Sequence, residues 1–454
     1  MAREFQASCG VGSDANQGDK QREGSRVVTM PITALGFLAV FTIGCLVALK
    51  RPFVGLLLYF FVFYMHPPGK YWGSFLPEMR WTLIVAVITL ISTFINDKNK
   101  FNWLESKESK LLVMLFIYVA LQLTWVDFPS LHQVYVVLLF KLLVLYYLII
   151  RLVNNKTRLL AVIVTNCIGA AYIGMNALQT HVSGRFEAAG LPGINDANLL
   201  AIHLVGIIFI SSVIVITNLN RRYLIFIPLA LVGNLFFMTG SRGGLVGLAL
   251  AGLFFIWYSP KHKKTQILRW AFAAVILASF MLGPLIIDRI KQINSVSDTE
   301  QIDKSAYSRL VIIEGQWNMF KDYPILGFGH RGTLVLSPFY IDESYMTQTE
   351  AGARRASHNI TLAFMVDHGL IGSSIFFLII GIAVFSVRHK QKYCNDDETI
   401  KLIMLGASSG LVGVMVASQF SNSKVLEISM WLIALIVSCK LILKNAHEPK
   451  NELP

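Results

Sequence analysis

Three short polar stretches in an otherwise apolar chain hold the residue types that could do chemistry. The first is Thr239-Gly240-Ser241-Arg242-Gly243-Gly244, set between two apolar runs. Small residues such as Ser241 and Gly243 let a backbone come close to a ligand. A helix opening near Gly243 would turn free N–H groups toward an anion, and Arg242 adds a planar, forked cation that suits phosphate oxygens. A tight turn with an interfacial arginine would use the same residues. The second is Arg309, followed by Asp322-Tyr323-Pro324-Ile325-Leu326-Gly327-Phe328-Gly329; read by itself, a loop arginine is a solvated charge. The third is Ser357-His358-Asn359 at the mouth of an apolar run, then Asp367-His368-Gly369-Leu370-Ile371-Gly372. A neutral imidazole can take a proton near neutral pH. His358 stands where a polar loop enters the membrane, so it could meet both a water-borne acceptor and a lipid-borne donor; an interfacial cap is its plainer role. A weaker fourth stretch pairs Gly184-Arg185-Phe186 with Asn195-Asp196-Ala197-Asn198. There Arg185 could hold a phosphate and Asn198 could cap the next helix.

Other chemistries leave no trace. The sequence has no Walker A loop, HExxH, CxxC or GxSxG pattern. Its five cysteines, Cys9, Cys45, Cys167, Cys394 and Cys439, are scattered and suit neither a metal site nor a disulfide framework. No cofactor and no metal are therefore expected. Glu427 and Asp367 are the visible intramembrane carboxylates, fewer than proton- or ion-coupled carriers tend to bury.

The elements that must position these residues are membrane helices. Of 454 residues, 54% are apolar and 15% charged, against about a quarter charged in a soluble domain. Crossing the hydrocarbon core takes about 20 mostly apolar residues, and such blocks recur along the chain. Candidate spans fall near 31–49, 52–65, 81–95, 111–127, 131–150, 159–179, 199–217, 223–238, 243–258, 268–287, 359–387, 401–418 and 425–443. The fold class is thus all-α, a polytopic transmembrane bundle of about 12–13 spans. The first two spans are short, and could be two crossings or a shallow hairpin.

The net charge of +13 does not mark a nucleic-acid surface, because the Lys and Arg residues concentrate in alternate short loops, as the positive-inside rule requires. Placing those loops in the cytoplasm puts 66–80, 180–198, 239–242, 288–358 and 419–424 on the other side, with the C-terminal tail inside. Within 288–358 a helical pattern over Ser305–Lys321 puts Ile313, Trp317 and Phe320 on one face and leaves Arg309, Gln316 and Lys321 elsewhere. Residues 1–29 read as a disordered N-terminal extension.

Taken in order, the TGSRGG motif of Thr239–Gly244, Arg309 ahead of Pro324–Gly329, and Ser357-His358-Asn359 with Asp367–Gly372 resemble the O-antigen ligase and polymerase superfamily of bacterial envelopes. The resemblance covers roughly residues 180–420. Leu49-Lys50-Arg51-Pro52 and Tyr64-Met65-His66-Pro67 to Tyr71-Trp72-Gly73 resemble O-glycosylation ligases found with exosortase systems. Asp367 departs from the glutamate common at that place. The resemblance implies N-terminal helices over 30–179, a ligase-like core over 180–420 that includes a large periplasmic loop 288–358 with short helices, and a last span and cytoplasmic tail over 421–454. It implies a protein of the bacterial inner membrane whose active site faces the periplasm. Its reaction would be metal-independent, inverting transfer of a glycan from an undecaprenyl-diphosphate carrier to a glycan, lipid or protein hydroxyl. His358 would be the base, Arg242, Arg309 and Arg185 would bind the diphosphate, and Ser241, Gly243, Asn359 and Asp367 would support them. Repeat-unit polymerisation, or a transporter or flippase of lipid-linked glycan, are the alternative functions.

Overall fold

The computed structural model describes residues 30–97, 102–181, 184–187, 190–217, 219–220, 222–276, 296–349, 352–388 and 397–445. The proposed extension 1–29, the second half of the 268–287 span, Cys9, Cys394 and the end of the C-terminal tail lie outside them.

Apolar helices make up most of the described chain. They are α1 (Ile32–Ala48), α2 (Pro52–Met65), α3 (Trp81–Asn96), α4 (Lys107–Leu121), α5 (Pro129–Leu152), α6 (Lys156–Thr180), α7 (Ala197–Ile216), α8 (Phe226–Met238) and α9 (Arg242–Tyr258). A helix over 261–276 is α10. After the long polar stretch come α13 (Ile360–Phe385), α14 (Glu398–Ala417) and α15 (Ile428–Asn445). Six of the described helices are long and apolar enough to cross a membrane, as the all-α membrane bundle requires. The first two candidate spans are separate helices broken at Leu49–Arg51, with Pro52 starting α2 where its missing N–H costs nothing. At about 1.5 Å per residue, the 14 residues of α2 fall short of a 30 Å hydrocarbon layer.

Side-chain caps set several starts. Asn155 caps α6, Asp196 caps α7, Ser241 caps α9 and Asn359 caps α13. Small residues set the closest crossing, between α9 and α14. A Cβ on Gly247 would stand 2.5 Å from the carbonyl oxygen of Gly413, and one on Gly413 would stand 2.9 Å from Ala251. In lipid this kind of small-residue seam lets dispersion contacts hold helices together.

The two ends of the bundle differ in character. At one end, basic residues meet acids: Arg151–Asp97 at 2.8 Å, Lys156–Asp397 at 2.7 Å, Lys440–Glu108 at 2.7 Å, and Lys444–Glu105. At the other end the connecting loops meet one another. Gly69 lies against Gly190, Gly193 faces Val425, and Gly243 touches Phe420.

The polar stretch folds onto this second end. It carries α11 (Val296–Asp322), α12 (Gly332–Tyr340) and an antiparallel hairpin of β1 (Thr347–Thr349) with β2 (Gly352–Arg354). The helix is longer than the expected Ser305–Lys321, and its inward face is different. Ile312, Gln316, Met319 and Phe320 are buried, while Ile313 and Trp317 are 42% and 47% exposed. Hydropathy favoured the face with Trp317; the fold instead buries the face whose Gln316 finds hydrogen-bond partners. Ile312, Met319, Phe320, Phe328, Val335, Leu336 and Ile341 make a small second core against Val366 of α13.

Candidate active site

Four of the loops found by sequence converge at the second end of the bundle. Ser241 opens α9 by accepting the N–H of Gly244 at 3.1 Å, and its hydroxyl donates to Asn198 Oδ1 at 2.9 Å. Arg185 donates from Nη2 to the same Asn198 oxygen at 3.0 Å, and from Nε to the Thr239 carbonyl at 2.9 Å. Asn198, expected as a helix cap, is therefore a bridge. The cap is Asp196, whose Oδ1 accepts the N–H groups of Asn198 and Leu199 at 2.7 and 3.0 Å. Arg185 braces the 239–241 turn and is less free than Arg242, the exposed first residue of α9.

The link to His358 runs through Ser418–Phe420, which sequence reasoning did not single out. Gly243 needs to be glycine because a Cβ there would sit 2.7 Å from Cβ of Phe420. One residue away, the Gln419 carbonyl accepts from Asn359 Nδ2 at 3.4 Å, and its side-chain oxygen accepts from Thr361 at 2.9 Å. The Ser418 carbonyl takes the Ile360 N–H at 3.0 Å. The seam between α9 and α14 thus fixes the Arg242 turn and the start of α13 against one three-residue loop.

Arg309 reaches the same place from the polar module. It is exposed on α11, two turns before Gln316 and on nearly the same face. Gln316 is fully buried. Its Nε2 donates to Ser357 Oγ at 2.8 Å and to Thr333 Oγ1 at 3.1 Å, and Ser357 Oγ donates to the Asn359 carbonyl at 2.9 Å. His358 lies between these two anchored residues. It keeps an exposed edge, yet the protein around it is the largest influence lowering its pKa from the ordinary 6.5. The charges of Arg355 and Arg309 lower it further, and Asp196 partly offsets them. His358 therefore stands in a positive field with one acid facing it.

The two glycine-rich motifs expected near this site pair with each other instead. Gly369 breaks α13 at φ 59° and ψ −165°, and the 324–329 segment docks into the break. Leu370 N–H donates to the Pro324 carbonyl at 2.8 Å, Phe328 N–H to Val366 at 2.9 Å and Gly329 N–H to Asp367 at 2.8 Å. Tyr118 of α4 and Gln122 just after it close the gap, donating to the Leu326 carbonyl at 2.9 and 2.7 Å. Backbone groups freed by a break in a membrane helix must find protein partners, and here they do. Asp367 is buried below this joint. It accepts the N–H groups of Arg331 and Gly332 at 3.1 and 3.0 Å and pairs with Lys424. It thereby holds α12 and the 418–427 loop to α13.

Among the described residues no cluster of histidine, cysteine and carboxylate could hold a metal ion. No carboxylate lies within ion-pair distance of Arg185, Arg242, Arg309 or Arg355 there. The arrangement offers an open cluster of guanidinium groups beside an imidazole at one end of an apolar bundle. That combination can neutralise an anion and accept a proton next to it.

Comparison with known proteins bears on this end of the chain. No curated protein matches it. Residues 32–223 match a family of unknown function, and residues 227–377, which hold Arg242, Arg309, His358 and both glycine motifs, match the O-antigen ligase family. The chain is a multi-pass membrane protein that carries an O-antigen ligase family domain over residues 227–377.

Proposed function

We propose that this protein moves a glycan from a polyprenyl-diphosphate carrier to an acceptor hydroxyl, at the membrane face that carries His358. The observation that supports the reading most is the convergence of Arg242, Arg309 and His358 from three separate segments on one loop-lined patch. Undecaprenyl diphosphate is the carrier expected in a bacterial inner membrane, with the patch facing the periplasm. The bilayer supplies the surroundings for the carrier's chain, and a glycan, lipid or protein supplies the hydroxyl.

In the proposed step the acceptor oxygen attacks the anomeric carbon of the glycan. Its proton passes to the neutral imidazole of His358 as the new carbon–oxygen bond forms. The bond from that carbon to the diphosphate oxygen breaks, and the electron pair leaves with the diphosphate. Attack opposite the leaving group inverts the anomeric centre. Arg242 and Arg309 neutralise the charge that grows on the departing oxygens. Arg185 steadies the Arg242 turn from behind and adds to the positive field. The proton on His358 then returns to solvent.

The test is transfer by purified protein given a polyprenyl-diphosphate-linked glycan and acceptor. His358→Gln should lower transfer on the order of 10²–10⁴-fold while binding of the carrier persists. Arg242→Ala should lower it by about 10²–10³-fold, the typical cost of losing one donor to developing charge, and Arg242→Lys by less, since charge remains but the fork is lost. Full turnover by His358→Gln removes the base role. Movement of the carrier across vesicles with no glycosidic bond formed would replace transfer with transport.

A further inference from the structure

Lys141 stands twelve residues into α5, about 18 Å along it at 1.5 Å per residue, near the middle of a 24-residue apolar helix. It is exposed, and no described carboxylate lies within ion-pair distance of it. An ionisable side chain at that depth is costly unless it finds a counter-charge, and such residues mark functional sites. Lys141 also lines a cavity of about 450 Å³ between α3 and α5. The walls run from Trp81 to Leu90 on α3 and from Leu138 to Leu145 on α5, and apart from Thr82 at the start of α3 are otherwise apolar along the helices. The upper end is polar: Arg80, His66 and Glu427 border it together with Pro192 and Gly193. Glu427 is satisfied from within, accepting the Tyr59 hydroxyl at 2.9 Å.

We propose that this trough is a docking site for another protein's membrane-spanning helix, one that carries a carboxylate near mid-membrane to meet Lys141. Two features favour a helix over a lipid. Arg80 borders the polar end of the trough while Lys141 lies along its apolar wall, so a phosphoryl headgroup held at Arg80 leaves Lys141 facing its acyl chain. The trough also extends at least nine residues along α3, two and a half helical turns, which suits a helix packed alongside. A second copy of this chain does not fit the requirement. Among the described residues Asp367 is the one carboxylate in the middle of an apolar helix, and it is buried and paired with Lys424. The upper end of the trough touches the 190–194 and 425–427 loops, whose neighbouring segments carry Asn198 and Gln419 of the candidate active site. A docked partner would therefore present its polar flank beside that site.

Docking at Lys141 is independent of glycan transfer and is measured without it. The full-length protein, fluorescently labelled, is placed in neutral phosphatidylcholine vesicles with an acceptor-labelled helical peptide of leucine and alanine bearing one central glutamate. Energy transfer reads association, and the same peptide with glutamine is the control. The glutamate peptide should associate at least tenfold more tightly than the glutamine peptide. Lys141→Leu should abolish that preference without unfolding the protein, because it removes an exposed charge from an apolar face. Lys141→Glu should reverse it, favouring a peptide with a central lysine. Equal association of the two peptides, association of neither, or a preference that survives Lys141→Leu overturns the proposal. Loss of the preference when anionic phospholipid is added would identify the trough as a lipid site instead, and overturns it equally.

Discussion

Replacing Gly369 with alanine should destabilise the protein far more than a one-carbon change in a membrane helix ordinarily does. The φ of 59° and ψ of −165° at Gly369 belong to a region closed to residues with a Cβ, at a cost of order 1–3 kcal/mol. The added carbon would also lie 2.2 Å from the Ile325 carbonyl oxygen and 2.7 Å from the Gly327 nitrogen. Both are backbone atoms that cannot swing aside, and overpacking of this kind costs about 1–3 kcal/mol more. Together these predict a loss of about 2–6 kcal/mol. The chain could escape by straightening α13, but that forfeits the bonds from Leu370 to Pro324 and from Phe328 to Val366, each worth about 1 kcal/mol. Gly381, farther along α13, is the control. A Cβ there meets nothing within 4 Å and its φ is ordinary, so Gly381→Ala should match or slightly exceed the parent. The measurement is unfolding of the purified proteins in detergent, followed by glycan transfer of whatever fraction stays folded. Transfer should fall as well, since the 324–329 segment ties α11, and with it Arg309, to the helix that begins beside His358. If Gly369→Ala and Gly381→Ala unfold within about 0.5 kcal/mol of each other, a difference typical of neutral surface changes, the interlocked break is not part of the folded state.

The pKa of His358 lies below the ordinary 6.5 through burial and then the charges of Arg355 and Arg309. Transfer should therefore hold as pH falls through 6.5 and drop only at lower pH, and Arg355→Gln should move that drop upward; a pH–rate profile corrected for folded fraction checks both. The correction matters because the fold disfavours the charged imidazole, so acid below the ordinary value also lowers stability. Asp367→Asn strips a buried lysine of its counter-charge and should cost about 3–5 kcal/mol; adding Lys424→Met should recover part of that in the same unfolding assay. In a cysteine-free background, an impermeant thiol reagent should label Glu343→Cys but not Asn445→Cys in intact cells, and the opposite pattern would invert the proposed orientation.

Sequence and structure agree where physics acts locally. Apolar length marks the spans, and a cap before α7 was legible in the Asn195–Asn198 stretch, although Asp196 and not Asn198 supplies it. Arg242, Arg309 and His358 are recognisable by type, but what brings them together is not. Their meeting depends on Gly247 and Gly243 closing on a helix and the loop after it, more than 160 residues away in sequence, and on a glutamine, Gln316, that looks like one more surface polar residue until its partners at Ser357 and Thr333 are seen. The glycines of Pro324–Gly329 and Asp367–Gly372 were visible in the sequence as parts of two motifs. Their partner was not, because a bare Cα admits a ligand or another backbone equally well. The same ambiguity affects α11: two of its faces are apolar, and only the tertiary fold decides which one turns inward.

The pattern of charge bears on function as well as on topology. At the far end of the bundle, Arg151, Lys156, Lys440 and Lys444 each meet an acid. At the site end, Arg185, Arg242, Arg309 and Arg355 have no such partner among the described residues, although the fold brings Arg309 and Arg355 close enough to shift the same imidazole. Crowding cations together without ion-pair partners costs free energy through mutual repulsion, and the hydrogen bonds of Arg185 to Asn198 and Thr239 do not neutralise that charge. An incoming anion would. A diphosphate is such an anion, and it reverses the repulsion most when its bond to the sugar breaks and its charge is greatest. A carrier path would need cations repeated through the depth of the bundle. The deep cation Lys424 is instead buried against Asp367, and Lys141 opens sideways into the α3–α5 trough. The guanidinium cluster is confined to the one end that carries His358, which is the arrangement the proposed glycan transfer requires.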